Sequence, residues 1–187
     1  MGRWSSVTIG PPKHELVIIT SYIVNHTAID PTKNKTAAYQ QWQILSTINK
    51  KYHPRRQTII DLLHFIHTLR TSGKEILLFM DSNENKNMNK VFINKLKQQC
   101  GLEEAMDVSQ NTSTYRRGTS QIDYAMCSPG IRSFIRFISL QDYGTICTSD
   151  HKSFILDLDF NHWVGCSIEA AKEQRKRIIS SINQKKS

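Results

Sequence analysis

Two apolar runs, each closed by polar residues, restrict the fold more than any other feature of the chain. Residues 15–24 read ELVIITSYIV and residues 74–85 read KEILLFMDSNEN. Both are far shorter than the roughly 20 apolar residues that cross a bilayer. The first is rich in β-branched residues, and both read as buried strands. Between them the period changes. Residues 37–50, AAYQQWQILSTINK, place Tyr39, Trp42, Leu45 and Ile48 at helical spacing. Pro54 then interrupts, and residues 56–70, RQTIIDLLHFIHTLR, repeat the helical stripe through Ile59, Leu62, Leu63, Ile66 and Leu69. Gly73 is positioned as a helix stop. Residues 89–101, NKVFINKLKQQCG, form a further amphipathic helix pattern with a terminal glycine.

The last third changes period again. SQIDYAMCS, IRSFIRFISL and HKSFILDLDF are short strand patterns separated by Pro-Gly or Gly-containing turns. In the last of them Phe154, Leu156, Leu158 and Phe160 alternate with Ser153, Ile155, Asp157 and Asp159, as a strand with one core face does. Residues 166–184 read as a helix with a sparse isoleucine stripe among basic residues. The expected class is α/β, with strand–helix units first and antiparallel strands last.

The charge points to a partner. The chain has 25 Lys and Arg against 16 Asp and Glu, a net charge of +9, which favours a polyanion and nucleic acid first. The basic residues cluster at 49–56 (NKKYHPRR), 114–120 (TYRRGTS) and 172–177 (KEQRKR). No run of about 18 apolar residues is present, so no membrane partner is expected. The first residues lack the apolar stretch of a secretory signal, and Cys100, Cys127, Cys147 and Cys166 have neither disulfide-framework nor zinc-site spacing. An intracellular, non-secreted protein is expected, with a nuclear site compatible with the charge.

The strand ends carry polar residues that are costly to bury. Tyr22 and Asn25 follow the first apolar run, and Asp81 and Asn83 follow the second. In an extended chain the spacing of two puts Asp81 and Asn83 on one side, where a carboxylate and an amide can position and deprotonate a water. The same pattern also makes an Asx-turn. Asp123 lies inside a strand pattern between Ile122 and Tyr124, so it needs a partner, and a histidine suits it. Asp150 and His151 immediately precede the final strand pattern.

As a set, TSYIVN (20–25), MDSNEN (80–85), QIDYAMCS (121–128) and TSDHKSF (148–154) resemble the motifs of the endonuclease/exonuclease/phosphatase superfamily. GRW…VTIG, ELVIITSYIV and PRRQTIIDLLHFI look most like the endonuclease domains of non-LTR retrotransposons. The resemblance covers residues 2–160 or so. It implies a DNase I-like four-layer α/β sandwich and a metal-dependent endonuclease that cleaves DNA by in-line attack of water, with Mg²⁺ or Mn²⁺ as cofactor. Carried over by residue, Asp81 and Asn83 would position and deprotonate the water. His151 would stabilise the phosphate, Asp123 would orient His151, and Tyr22 and Asn25 would contact phosphate or leaving group. Asp150 would lie at the metal.

The sequence also departs from the pattern. Val24 and Met80 stand where the family often has Pro and Gly. The family's early strands, one ending in Asn and one in the main metal-ligating Glu, have no counterpart, since Glu15 opens a strand. The expectation is therefore the C-terminal portion only of the fold, with residues 1–162 as a partial domain and 163–187 as a basic helix or linker. Weak metal binding follows, and an uncovered sheet face favours self-association or a covering partner. Two alternatives stand beside the truncated endonuclease: a non-catalytic nucleic-acid-binding remnant, and a phosphatase acting on another phosphoester. Three other patterns receive structural readings. His64 and His67 lie on a solvated or packed helix face, Tyr39 and Trp42 belong to the core, and Glu103–Glu104 start a helix.

Overall fold

The structure is a computed structural model that describes residues 3–25, 29–30, 32, 35–48, 53–85, 91–106 and 112–165. The expected helix at 166–184, Cys166 and the basic cluster at 172–177 lie outside the described residues.

The first element is a strand that the sequence reading did not identify, β1 (Trp4–Ile9). Its residues are mostly exposed, so no alternation marks it. It lies antiparallel along β2 (Leu16–Tyr22), which runs parallel to β3 (Glu75–Asp81). The connection from β2 to β3 passes through α1 (Ala37–Ile48) and α2 (Pro54–Thr71). After α3 (Val91–Cys100) come β4 (Glu103–Glu104) and β5 (Asp123–Cys127), giving a five-stranded sheet of order β1-β2-β3-β5-β4. A short helix α4 (Pro129–Arg132), the antiparallel pair β6 (Ile135–Gln141) and β7 (Ser153–Leu158), and a last turn α5 (Phe160–Trp163) complete the described chain.

Strand alternation divides the core in two. Val17, Ile19, Ile76, Leu78, Met80, Tyr124 and Met126 point to one face of the large sheet and pack against Leu62, Leu63 and Ile66 of α2 and Phe92, Ile93 and Leu96 of α3. Leu16, Leu77, Ala125 and Cys127 point to the other face and are covered by Trp163 and the inner side of the β6–β7 pair. That inner side carries Phe154, Leu156 and Leu158, as the alternation requires. The result is a helix layer, a five-stranded sheet and a two-stranded sheet. The apolar face expected to stand uncovered is thus closed by β6, β7 and Trp163. On the outer side of that pair Phe137 and Ile155 are exposed.

Three local readings change. Pro54 does not interrupt a helix but starts one, at the first helical position, where its missing N–H costs nothing. On α1 only Leu45 of the expected stripe is buried; Ile48 is exposed, and Tyr39 and Trp42 are half-buried, stacked on each other rather than set in the core. Glu103–Glu104 form a strand, not a helix start, because the chain leaving Gly101 (φ +63°) joins the free edge of β5. Their charges meet Arg132 and Lys97.

Arg55 is the largest departure. It belongs to a basic cluster read as facing a polyanion, yet it is 5% exposed. Its guanidinium donates to the carbonyls of Val24 (2.8 Å) and Ser82 (3.0 Å) and to Glu84 Oε1 (3.2 Å). Glu84 in turn accepts from the amides of Phe92 and Ile93 at the start of α3. One buried ion pair therefore fastens the chain leaving β2, the chain leaving β3, and the N-terminus of α3.

Candidate active site

Sheet register brings the first three polar residues together. Tyr22 pairs with Asp81 across β2–β3, and Asp81 pairs with Asp123 across β3–β5. The motif residues of three neighbouring strands thus stand side by side at one end of the sheet. Residues 150–152 complete the group. Tyr115 and His151 form an isolated antiparallel bridge, the Lys152 amide donates to the Thr114 carbonyl (2.9 Å), and the Arg116 amide donates to the Asp150 carbonyl (2.8 Å). The ligand atoms of Asp81, Asp123 and His151 all fall within 4.8 Å of one another.

His151 Nδ1 lies 3.1 Å and 3.0 Å from the two carboxylate oxygens of Asp123. The pairing expected from the buried position of Asp123 is therefore formed. A carboxylate on Nδ1 keeps the proton there and leaves Nε2 as the free ring nitrogen. Burial alone would lower the His151 pKa; the Asp123 hydrogen bond and the charges of Asp123, Asp81 and Asp150 outweigh it, so the net direction is upward. Burial raises Asp123 as well, against hydrogen bonds from Thr114 and His151.

Asp81 and Asn83 are neighbours, but not through strand alternation. The extended run ends at Asp81, and Asn83 has φ +48°, the left-handed region. The Asn83 amide donates to Asp81 Oδ1 (3.0 Å), which is an Asx-turn, while Asn83 Nδ2 donates to the Ile23 carbonyl (2.8 Å). The turn and the pairing coexist, because the turn itself holds the amide beside the carboxylate. The loop is fixed from below: Ser82 bonds to the Ile122 carbonyl through both its amide and its hydroxyl.

Burial and then the charge of Asp123 push the Asp81 pKa up to about 6. The folded state therefore holds a proton on Asp81 more tightly than the unfolded chain does. Ionising it costs stability, by an amount that grows as pH rises from the ordinary 3.8 to about 6 and is complete above that. In chelator at pH 7.5, Asp81→Asn should stabilise the chain by up to about 3 kcal/mol in urea unfolding, with the gain vanishing near pH 4. A variant no more stable than the wild type at pH 7.5 would contradict this environment.

The remaining sequence candidates lie around this centre. Tyr22 is 43% exposed, its phenol pKa raised by burial and by Asp81, with a hydrogen bond to Asn83 acting in the opposite direction. Asn25 is exposed, three residues beyond the end of β2. Asp150 is exposed, and the clustered donors are Asp81, Asp123 and His151. His64 and His67 are exposed on α2, outside that cluster. Three residues of the 112–118 turn were not singled out from sequence. Thr114 is fully buried under Asp123, the Tyr115 ring lies 4.9 Å from the His151 ring, and Arg116 lies over the Tyr143 ring with Lys152. Only the charge cluster TYRR hinted at them.

No family model matches the chain, and no curated protein matches it. Solved structures do. A 3′ phosphatase from Neisseria bound to a product DNA hairpin matches with TM-score 0.54 at 13% identity, covering 83% of this chain and 65% of its own. An AP endonuclease from Leishmania major matches with TM-score 0.53 at 13% identity, covering 83% of this chain and 54% of its own. The endonuclease domain of a telomere-specific non-LTR retrotransposon, TRAS1, matches with TM-score 0.48 at 13% identity, covering 84% of this chain and 64% of its own. The chain spans less than two thirds of each of these three proteins.

Proposed function

We propose that this chain, which has the α/β fold of the DNase I-like nucleases and phosphatases, hydrolyses phosphodiester bonds in DNA. The observation that carries the reading is the meeting of Asp81, Asp123 and His151 at one sheet end, with His151 already oriented by Asp123. Asp81 takes the proton of the attacking water, on the oxygen that the Asn83 amide leaves open, and the Asn83 side chain holds that water in place. His151 Nε2 meets the phosphate and offsets the charge that develops on it. Tyr22 and Asn25 contact the phosphate or the leaving group. A net charge of +9 supports a polyanionic substrate.

The donor set fits a divalent cation, though thinly. Two carboxylates stand close together, and burial followed by the charge of Asp123 raises the Asp81 pKa. Asp123 already engages His151 with both oxygens, and the open oxygen of Asp81 is given to the water, which leaves Asp150 as the residue that would hold the ion. Mg²⁺ prefers several oxygen ligands, so weak binding is expected. When bound, the ion supplies Lewis-acid stabilisation of the phosphate.

The same shortage favours a second reading, a DNA-binding chain without cleavage. Nicking of supercoiled plasmid across a Mg²⁺ series, with a gel shift on the same DNA, separates the two. Nicking that rises with Mg²⁺ and stops in chelator supports hydrolysis; a gel shift without nicking at any Mg²⁺ concentration rejects it in favour of binding.

A further inference from the structure

We infer that Thr114 is the positioning residue of the Asp123–His151 pair, holding both members in the geometry that the proposed hydrolysis uses. The catalytic consequence rests on that proposal; the structural role does not.

Thr114 is 0% exposed, so it cannot reach a substrate. Its Oγ1 lies 3.0 Å from the amide nitrogens of both Ile122 and Asp123. Amides only donate, so the hydroxyl oxygen accepts from both. The main chain of the same residue reaches the other member of the pair. The Thr114 carbonyl accepts from Lys152, directly after His151, and Tyr115 bridges to His151 and lies against its ring. The turn that presents Thr114 is itself closed, since the Ser113 hydroxyl bonds to the Gly118 carbonyl at 2.8 Å and the Gly118 amide to the Tyr115 carbonyl at 3.0 Å.

One buried residue thus holds the main chain at Asp123 through its hydroxyl and the main chain beside His151 through its carbonyl. With both backbones fixed, the Asp123 carboxylate stays on Nδ1, which keeps the ring in one orientation and one tautomer, with Nε2 outward. Without the hydroxyl, the amides of Ile122 and Asp123 lose their acceptor.

The test uses the full chain with Thr114→Val and Thr114→Ser. In the ¹⁵N-labelled protein without DNA, the His151 Nδ1–H proton should be observable in the wild type and in Thr114→Ser. It should be lost to exchange in Thr114→Val while the amide spectrum of the large sheet persists. In plasmid nicking, Thr114→Val should lower kcat about 10–100-fold with KM within about twofold, and Thr114→Ser should restore it. An undisturbed Nδ1–H proton in folded Thr114→Val, or its equal loss in Thr114→Ser, overturns the inference. Should Thr114→Val not fold, the wild type decides: Ile122 and Asp123 amide protons shielded from exchange support the role, and their rapid exchange overturns it. A chain that does not nick DNA removes the functional proposal, while the spectroscopic arm still decides the role of Thr114.

Discussion

Replacing His151 with alanine should lower plasmid nicking about 10²–10⁴-fold, the range for losing a positioned acid–base group. The loss should fall on kcat. His151 is bonded through Nδ1 to Asp123, so the nitrogen it offers to substrate is Nε2. A group there meets charge that exists only as the phosphate reacts, and ground-state binding of DNA changes little. The gel shift should accordingly survive the substitution. Asp123→Asn should cost a comparable amount without removing the imidazole. An amide NH₂ facing Nδ1 favours the tautomer with the proton on the other nitrogen, and the ring then presents the wrong face. Combining the two substitutions should add little to either alone, because the residues act as a unit. Losses that multiply would show that they act separately.

Arg55→Ala should destabilise the chain by about 3–5 kcal/mol, the range for removing one partner of a buried ion pair. Glu84, whose side chain is 10% exposed, would keep its charge without its cation. The Val24 and Ser82 carbonyls would each lose a donor as well. Amide bonds from Phe92 and Ile93 still serve Glu84, which places the cost toward the lower end. Arg55→Lys should not restore stability, since an ammonium cannot reproduce a planar fork spread over three acceptors. Urea unfolding of Arg55→Ala, Arg55→Lys and the wild type decides this; an alanine variant within about 1 kcal/mol of wild type would mean the pair contributes little. Because Val24 and Ser82 adjoin Asn25 and Asn83, a folded Arg55→Lys chain should also lose activity.

The parts of the fold that show in the sequence are those set by periodicity. The β7 alternation from Phe154 to Leu158 reappears as the inner side of a strand pair, and the α2 stripe reappears as Leu62, Leu63 and Ile66 beneath the sheet. Period fails where burial is incomplete. The edge strand β1 has almost no buried residue to mark it, and the apolar positions of α1 mostly face away from the core. The site shows a similar division. Polar residues at the ends of apolar runs are visible one at a time, and Asp123 signals its need for a partner by lying inside a strand. The Asx-turn at Asp81–Asn83 was one of two readings of a single pattern, and the structure realises the turn and the proximity together.

What the sequence hides depends on pairs distant along the chain. Arg55 looks like one more residue of a basic surface until the carbonyls of Val24 and Ser82, from two other segments, close around it. Thr114 lies nine residues before Asp123, across an irregular turn with no period to count, and only the folded chain shows that its hydroxyl accepts from the Asp123 amide. The closure of the sheet face expected to stand uncovered is hidden for a related reason. Strand patterns fix which side of each strand is apolar, but not which sheet the last two strands join, and β6 and β7 cover the face themselves.

The central claim is that Asp81, Asp123 and His151 form one hydrolytic centre. Its most direct measurement is single-turnover nicking of supercoiled plasmid in Mg²⁺ by the wild type beside Asp81→Ala, Asp123→Ala and His151→Ala, each checked for folding. The account predicts nicking by the wild type and a loss of at least about 10²-fold in every variant. Equal nicking by all four proteins would contradict it, as would a wild type that binds the plasmid and leaves it intact.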